Sequence, residues 1–131
     1  MAIDGLIHVA GGTRIDDFTE PDSRIRVYDP AADSWNVRAG PPLLSRSHTG
    51  MGFLDGRIHL FGGTGASARS TDTHVAYVMS EGAWYRYPPL PFEARGVRAG
   101  ALGDGVLVME AWWDAHTPPS AAGSRFRATG P

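Results

Sequence analysis

The sequence predicts an all-β fold of repeated four-stranded antiparallel sheets, and three observations carry that expectation. A short motif, Asp4-Gly5-Leu6-Ile7-His8-Val9-Ala10-Gly11-Gly12, returns as Asp55-Gly56-Arg57-Ile58-His59-Leu60-Phe61-Gly62-Gly63, and a weaker third copy opens with Asp104-Gly105-Val106-Leu107-Val108. Later landmarks keep step: Tyr28 precedes Trp35 as Tyr77 precedes Trp84, and an Arg, Arg46 or Arg95, follows each Trp at the same distance. Finally, 17 Gly and 10 Pro in 131 residues favour short strands and tight turns over long helices.

The elements follow in order. An Asp-Gly pair between two apolar runs signals a hairpin, because Gly tolerates φ > 0. That pairs residues 47–54 with 57–63, and 96–102 with 105–111. A second hairpin runs through 73–79 and 82–87 and turns at Ser80-Glu81-Gly82; the earlier counterpart of that turn is Asp29-Pro30-Ala31-Ala32-Asp33. The first copy opens at what should be a second strand, so its opening strand is expected to be absent. In the third, Ala111-Trp112 stand where the diglycine should be, with Trp113 next, and Ser124-Arg125-Phe126-Arg127 echoes Ser23-Arg24-Ile25-Arg26. The expectation is therefore three strands, four, then three, over roughly 1–46, 47–95 and 96–131. Four short strands per repeat of about 50 residues is the unit of a β-propeller blade.

Composition narrows function by exclusion. With no Cys, disulfides, thiolate chemistry and Cys-bound zinc are ruled out. A formal charge of −2 gives no overall pull toward nucleic acid or an anionic membrane. No apolar run approaches the roughly 18 residues of a membrane span, and no basic-then-apolar leader opens the chain, which leaves the cytoplasm as the default location. All 12 basic residues are Arg, which reads as compositional bias of a GC-rich, bacterial genome.

An apolar strand ending in Gly-Gly, followed by a spaced Tyr and Trp, resembles the kelch repeat. Gly11-Gly12, Tyr28 and Trp35 carry the likeness in the first copy; Gly62-Gly63, Tyr77 and Trp84 carry it in the second. The resemblance implies a kelch-type propeller, incomplete at about two and a half blades. It also matches Arg46 and Arg95 to the Arg that often follows the family's proline-containing connection. The diglycine should let the backbone approach a neighbour where a Cβ would clash, and the Tyr and Trp should fill space between blades. This count favours part of a larger propeller over a short self-assembling chain, and isolated blades should associate through exposed edges and faces.

In kelch proteins, ligands meet the loops of one rim. Carried over by position, this nominates Thr13, Arg14 and Thr64 after the glycines, and Arg46, His48 and Arg95 on the connections. Arg suits such a rim because its planar fork pairs with carboxylate or phosphate; the plainer reading makes Arg46 and Arg95 braces for backbone carbonyls. Val97 takes the place of His48 in the next copy. Trp112 and Trp113 could stack on a sugar ring or fill space in a degenerate blade. Asp16, Asp17, Glu20 and Asp22 gather carboxylates without the alternation of a calcium loop, so a solvated loop is favoured. His8 and His59 are one position repeated, and His48, His74 and His116 lack ligand-like spacing, so no metal or other cofactor is expected.

The leading expectation is a noncatalytic module that presents rim loops to a protein or peptide, with a glycan as a further candidate partner. The alternative class is carbohydrate-active: galactose oxidase and certain sialic-acid-processing enzymes carry kelch propellers. The Tyr–Cys crosslink of galactose oxidase cannot form here, and no catalytic constellation is visible.

Overall fold

The computed structural model of the chain describes residues 1–13, 22–40, 46–65 and 69–109, and the backbone alone of 123–127. The described strands form three antiparallel sheets in which neighbours in sequence are neighbours in space. The first holds β1 (Ala2–Ile3), β2 (Leu6–Ala10), β3 (Ile25–Asp29) and β4 (Ser34–Arg38). The second holds β5 (Gly50–Leu54), β6 (Arg57–Phe61), β7 (His74–Val78) and β8 (Ala83–Tyr87). The third holds β9 (Arg98–Leu102), β10 (Gly105–Met109) and β11 (Gly123–Arg127). Each sheet is one blade.

One expectation changes at once. The first blade does have its opening strand: Ala2 pairs with Ile7 and Ile3 with Leu6. The two-residue β1 is too short to show as a periodic run, yet Ile3 is 5% exposed and joins the core of the next blade.

The first two hairpins turn at Asp4-Gly5 and Asp55-Gly56, where all four residues have φ between 48° and 78°. Paired positive φ values give the turn whose twist suits adjoining strands. The third hairpin keeps to the expected strands, within 96–102 and 105–111, but turns one residue before its Asp-Gly pair. Leu102 pairs with Gly105, so the turn is Gly103-Asp104, with Gly103 at φ 62°. Gly103-Asp104-Gly105 contains two overlapping turn signals, and burial decides between them. The observed register places Val106 and Val108 against the second blade, at 1% and 0% exposure; a one-residue slip would turn both outward. The same register moves Phe126 from the Ile25 position to the Tyr position: Phe126 pairs with Val106 as Tyr28 pairs with Ile7 and Tyr77 with Ile58.

Alternation sorts each blade into a leading face, toward the preceding blade, and a trailing face, toward the next. Ile58, Leu60, Val75 and Tyr77 lead on the second blade and pack with Ile3 and Ala10 of the first. Phe61 trails, and packs with Val97, Val106 and Val108. Both junctions are thus built from apolar side chains off short strands.

Candidate functional site

Two kinds of connection separate the rims of this stack. Among the described residues one rim carries hairpin turns alone: Asp4-Gly5, Asp55-Gly56, Gly103-Asp104, and the β3–β4 and β7–β8 turns. The other carries the long segments 11–24 and 62–73 within blades, and 39–49 and 88–97 between them. Every described rim candidate lies on this second rim.

The diglycines organise it. Gly11 N–H donates to Arg24 O as Gly62 N–H donates to Thr73 O. Gly12 N–H donates to Arg46 O as Gly63 N–H donates to Ala94 O, and the amides of Arg46 and Ala94 return bonds to Asp22 O and Thr71 O. A Cβ on Gly11 would lie 2.6 Å from Arg46 O, and one on Gly62 would lie 2.6 Å from Ala94 O. Both glycines also hold left-handed φ, 71° and 58°. Sterics and backbone conformation therefore both require Gly, which is why the pair marks each repeat.

This bonding corrects the expected equivalence of Arg46 and Arg95. Ala94 occupies the place of Arg46, and Gly96, with φ 65°, that of His48, with φ 56°. The second connection is one residue shorter, so counting from Trp misaligned the copies. Val97 accordingly is not the counterpart of His48: it is 1% exposed and packs in the core between the second and third blades.

Arg46 is a brace. Its Nη1 donates to Gly62 O at 3.2 Å and its Nη2 to Thr73 Oγ1 at 3.0 Å, while its carbonyl takes the Gly12 bond. This one connection residue thus ties the diglycine turn of the first blade to that of the second. Burial lowers its pKa, with the neighbouring Arg86 adding to the effect and Asp72 opposing it. Arg46 lines a shallow cleft with Gly11, Asp22, Thr49, Gly62 and Thr73.

The other candidates are placed as follows. Thr13 is half-buried beside the first diglycine. Thr64 exchanges both backbone bonds with Ser47, at 3.0 and 2.8 Å, and holds the start of the second blade. His48 is exposed, its Nδ1 lies 3.0 Å from Ser47 Oγ, and its carbonyl accepts from Val97 N–H. Arg95 is half-buried on the second connection. Arg14, Trp112, Trp113, His116, Asp16, Asp17 and Glu20 lie outside the described residues. Asp22 is committed elsewhere: Arg24 clasps its carboxylate with Nε and Nη2 at 2.9 Å, and Arg26 adds an ion pair. Those bonds, Arg24's first, draw its pKa down to about 2.

A buried pair escaped the spacing argument. His59 Nδ1 lies 2.9 Å from His74 Nε2, a contact between neighbouring strands that the spacing of the two residues does not show. His74 Nδ1 lies 3.3 Å from Pro88 O, which can only accept. His74 therefore carries its proton on Nδ1, and His59 Nδ1–H donates to it. His59 Nε2 is buried without a partner. Burial, above all, pushes both pKa values down to about 4, with Arg57 contributing at His59 and His59 itself at His74. The β6–β7 register, which sets Phe61 opposite His74, brings the rings together. Among the described residues, no group of three or more His, Asp or Glu side chains could hold a metal.

No family model matches the chain. It is 39% identical over 88 residues to an F-box/kelch-repeat protein of Arabidopsis thaliana, which covers 63% of this chain and 20% of that protein. It is 30% identical over 86 residues to Kelch-like protein 15 of Danio rerio, covering 64% of this chain and 14% of the relative. The solved structure of YjhT superposes with a TM-score of 0.70 at 14% identity, over 83% of this chain and 41% of that one. The fold is a partial β-propeller. Its blades are similar in sequence to those of kelch-repeat proteins. The chain spans a fifth or less of those curated relatives. A plant and a fish protein lend no support to the bacterial origin inferred from the Arg-only composition.

Proposed function

We propose that this segment is a noncatalytic binding module whose long-loop rim receives a protein or peptide. The observation that carries this reading is the asymmetry of the rims. Among the described residues one is closed by short hairpin turns, while the longer connections between β2 and β3, β4 and β5, β6 and β7, and β8 and β9 start and end on the other. Loops held by a rigid scaffold are where recognition residues accumulate. The diglycine bonds and the Arg46 brace supply that rigidity, and the kelch relatives fit the reading. Thr13, Thr64, His48 and Arg95 are the described candidates on that rim; Arg46 positions the loops.

Selection of binders from a random peptide library on the folded chain tests this. Peptides should lose at least about tenfold in affinity to a His48→Ala/Arg95→Ala variant. They should bind an Asp55→Asn variant, altered at the opposite rim, normally. Equal affinity for all three chains would overturn the assignment.

A further inference from the structure

The two connections between blades are tied down by different chemistry. On the first, Arg46 donates to Gly62 O and Thr73 Oγ1, and its guanidinium stays charged at pH 5 and pH 7 alike. On the second the tie is a histidine, since His74 Nδ1–H donates to Pro88 O where the connection leaves β8. Phe61 adds to that tie. The His74 ring stacks on it with centroids 4.3 Å apart, the His59 ring at 6.0 Å, and Leu90, Ala94 and Val97 of the connection share its cluster. Of the four ring nitrogens in the pair, three are committed: His74 Nδ1–H to Pro88 O, His59 Nδ1–H to His74 Nε2, and that Nε2 as acceptor. His59 Nε2 keeps a buried lone pair without a partner among the described residues. It is therefore where an added proton goes.

Little around the pair can hold that charge. On β6, Arg57 opposes it more strongly than Asp55 favours it. β8 brings Tyr87, its ring centroid 5.5 Å from that of His59, and Tyr85, whose hydroxyl donates to Glu81. β7 contributes His74 itself and Ala76, and β5 sets Gly52 opposite His59. The third blade presents Ala99, Val106 and Val108, with Phe126 and Ser124 of β11 in the positions paired with the two valines. The connection carries exposed Glu93 and half-buried Arg95. An imidazolium here is relieved only by reaching water, which takes the ring off Phe61 and away from His74. We propose that the second connection is a proton-controlled part of the rim: protonation at His59 Nε2 parts the histidine pair and releases 88–97, with Arg95, while the first connection stays tied at Arg46. This control rests on the reading of the rim as a binding surface. Both rings titrate at about 4 against an ordinary 6.5, so the released form takes up protons more readily and is favoured as pH falls below 6.5.

Amide hydrogen exchange on the folded chain, read as protection factors at pH 7 and pH 5, tests this. The amides of Leu90 and Ala94, bonded to Asp72 O and Thr71 O, should lose at least about tenfold in protection at the lower pH. Those of Gly12 and Thr64, bonded to Arg46 O and Ser47 O, should change by less than about threefold. His59→Gln keeps a donor toward His74 without a titrating ring, and the loss should vanish in it. Imidazole nitrogen shifts of the wild-type chain need no variant to fold: His59 Nε2 should be unprotonated at pH 7 and the first of the pair to gain a proton. Equal losses at both connections, no loss at either, a loss that persists in folded His59→Gln, or a proton on His59 Nε2 at pH 7 each overturns the proposal. Peptides selected on the rim should weaken at pH 5 at least about fivefold more on the wild-type chain than on His59→Gln; equal weakening on both overturns the control. Peptides indifferent to His48→Ala/Arg95→Ala, alongside the exchange contrast, would support the release and overturn the rim assignment alone.

Discussion

The first and second blades present the same leading face in opposite circumstances. Ile7, Tyr28 and Trp35 form a row on one, as Ile58, Tyr77 and Trp84 do on the other. The ring pairs are alike too, with centroids 5.0 Å apart for Tyr28–Trp35 and 5.3 Å for Tyr77–Trp84. Yet Ile7 is 39% exposed and Ile58 is 0% exposed. Trp84 Nε1 donates to Ala39 O in the preceding connection, while more than half of Trp35 is exposed. The row itself is therefore a property of the blade's own strands. Burial and the indole bond are supplied by the neighbour.

The largest break in this comparison is expected on acidification, since the buried histidine pair belongs to the second blade; in the first, Ile25, opposite Ala10, stands where His74 stands opposite Phe61. Both pair members have pKa values near 4 against an ordinary 6.5. Between those values the unfolded chain binds more protons, so stability rises with pH there. It should be fully present above about 6.5 and fall as pH drops toward 4. Melting temperature against pH reads this, and His59→Leu/His74→Leu should flatten the acid limb.

Truncations come next. Ile58→Ala should cost about 2–5 kcal/mol in denaturant unfolding. Ile7→Ala should stay within about 0.5 kcal/mol in the monomer. Near-equal costs would mean that the first face is covered. Gly52→Val, forced against Val106, should cost about 1–3 kcal/mol, whereas Gly100→Val, where a Cβ meets nothing within 4 Å, should leave monomer stability almost unchanged. The smallest difference concerns the indoles. Trp84→Phe should cost about 0.5–1 kcal/mol more than Trp35→Phe by chemical denaturation, because only the former loses an indole hydrogen bond, to the carbonyl of exposed Ala39.

What was legible in the sequence was whatever local sterics dictate. Asp4-Gly5 and Asp55-Gly56 announce their turns, and the diglycines mark where backbone meets backbone. What was not legible depended on competition between elements. Asp104-Gly105 looked like a third turn of the same kind, but burying Val106 and Val108 selected Gly103-Asp104 instead. Arg95 looked like Arg46 because the connection is one residue shorter, and only the bonds to Gly12 and Gly63 reveal Ala94 as the true counterpart. For the rim, the sequence assigned the candidates to the long connections. It could not separate Arg46, turned inward on Gly62 O, from an exposed neighbour such as His48. The His59–His74 pair needed the strand register, since the spacing of the two residues carries no sign of it.

The Arg46 tie also bears on how the chain comes apart. Among the described residues the main contacts of each blade are with its sequence neighbours, so opening can proceed as a zipper does, from the ends inward. The second blade is the one clamped on both sides, by the Gly12–Arg46 and Gly63–Ala94 bonds and by apolar contacts across both junctions. Its amides should be the slowest to exchange with deuterium, with those of β6 and β7 last of all. Refolding should start from that central sheet and spread outward, so that the loops of the rim are ordered from the middle of the arc toward its two ends.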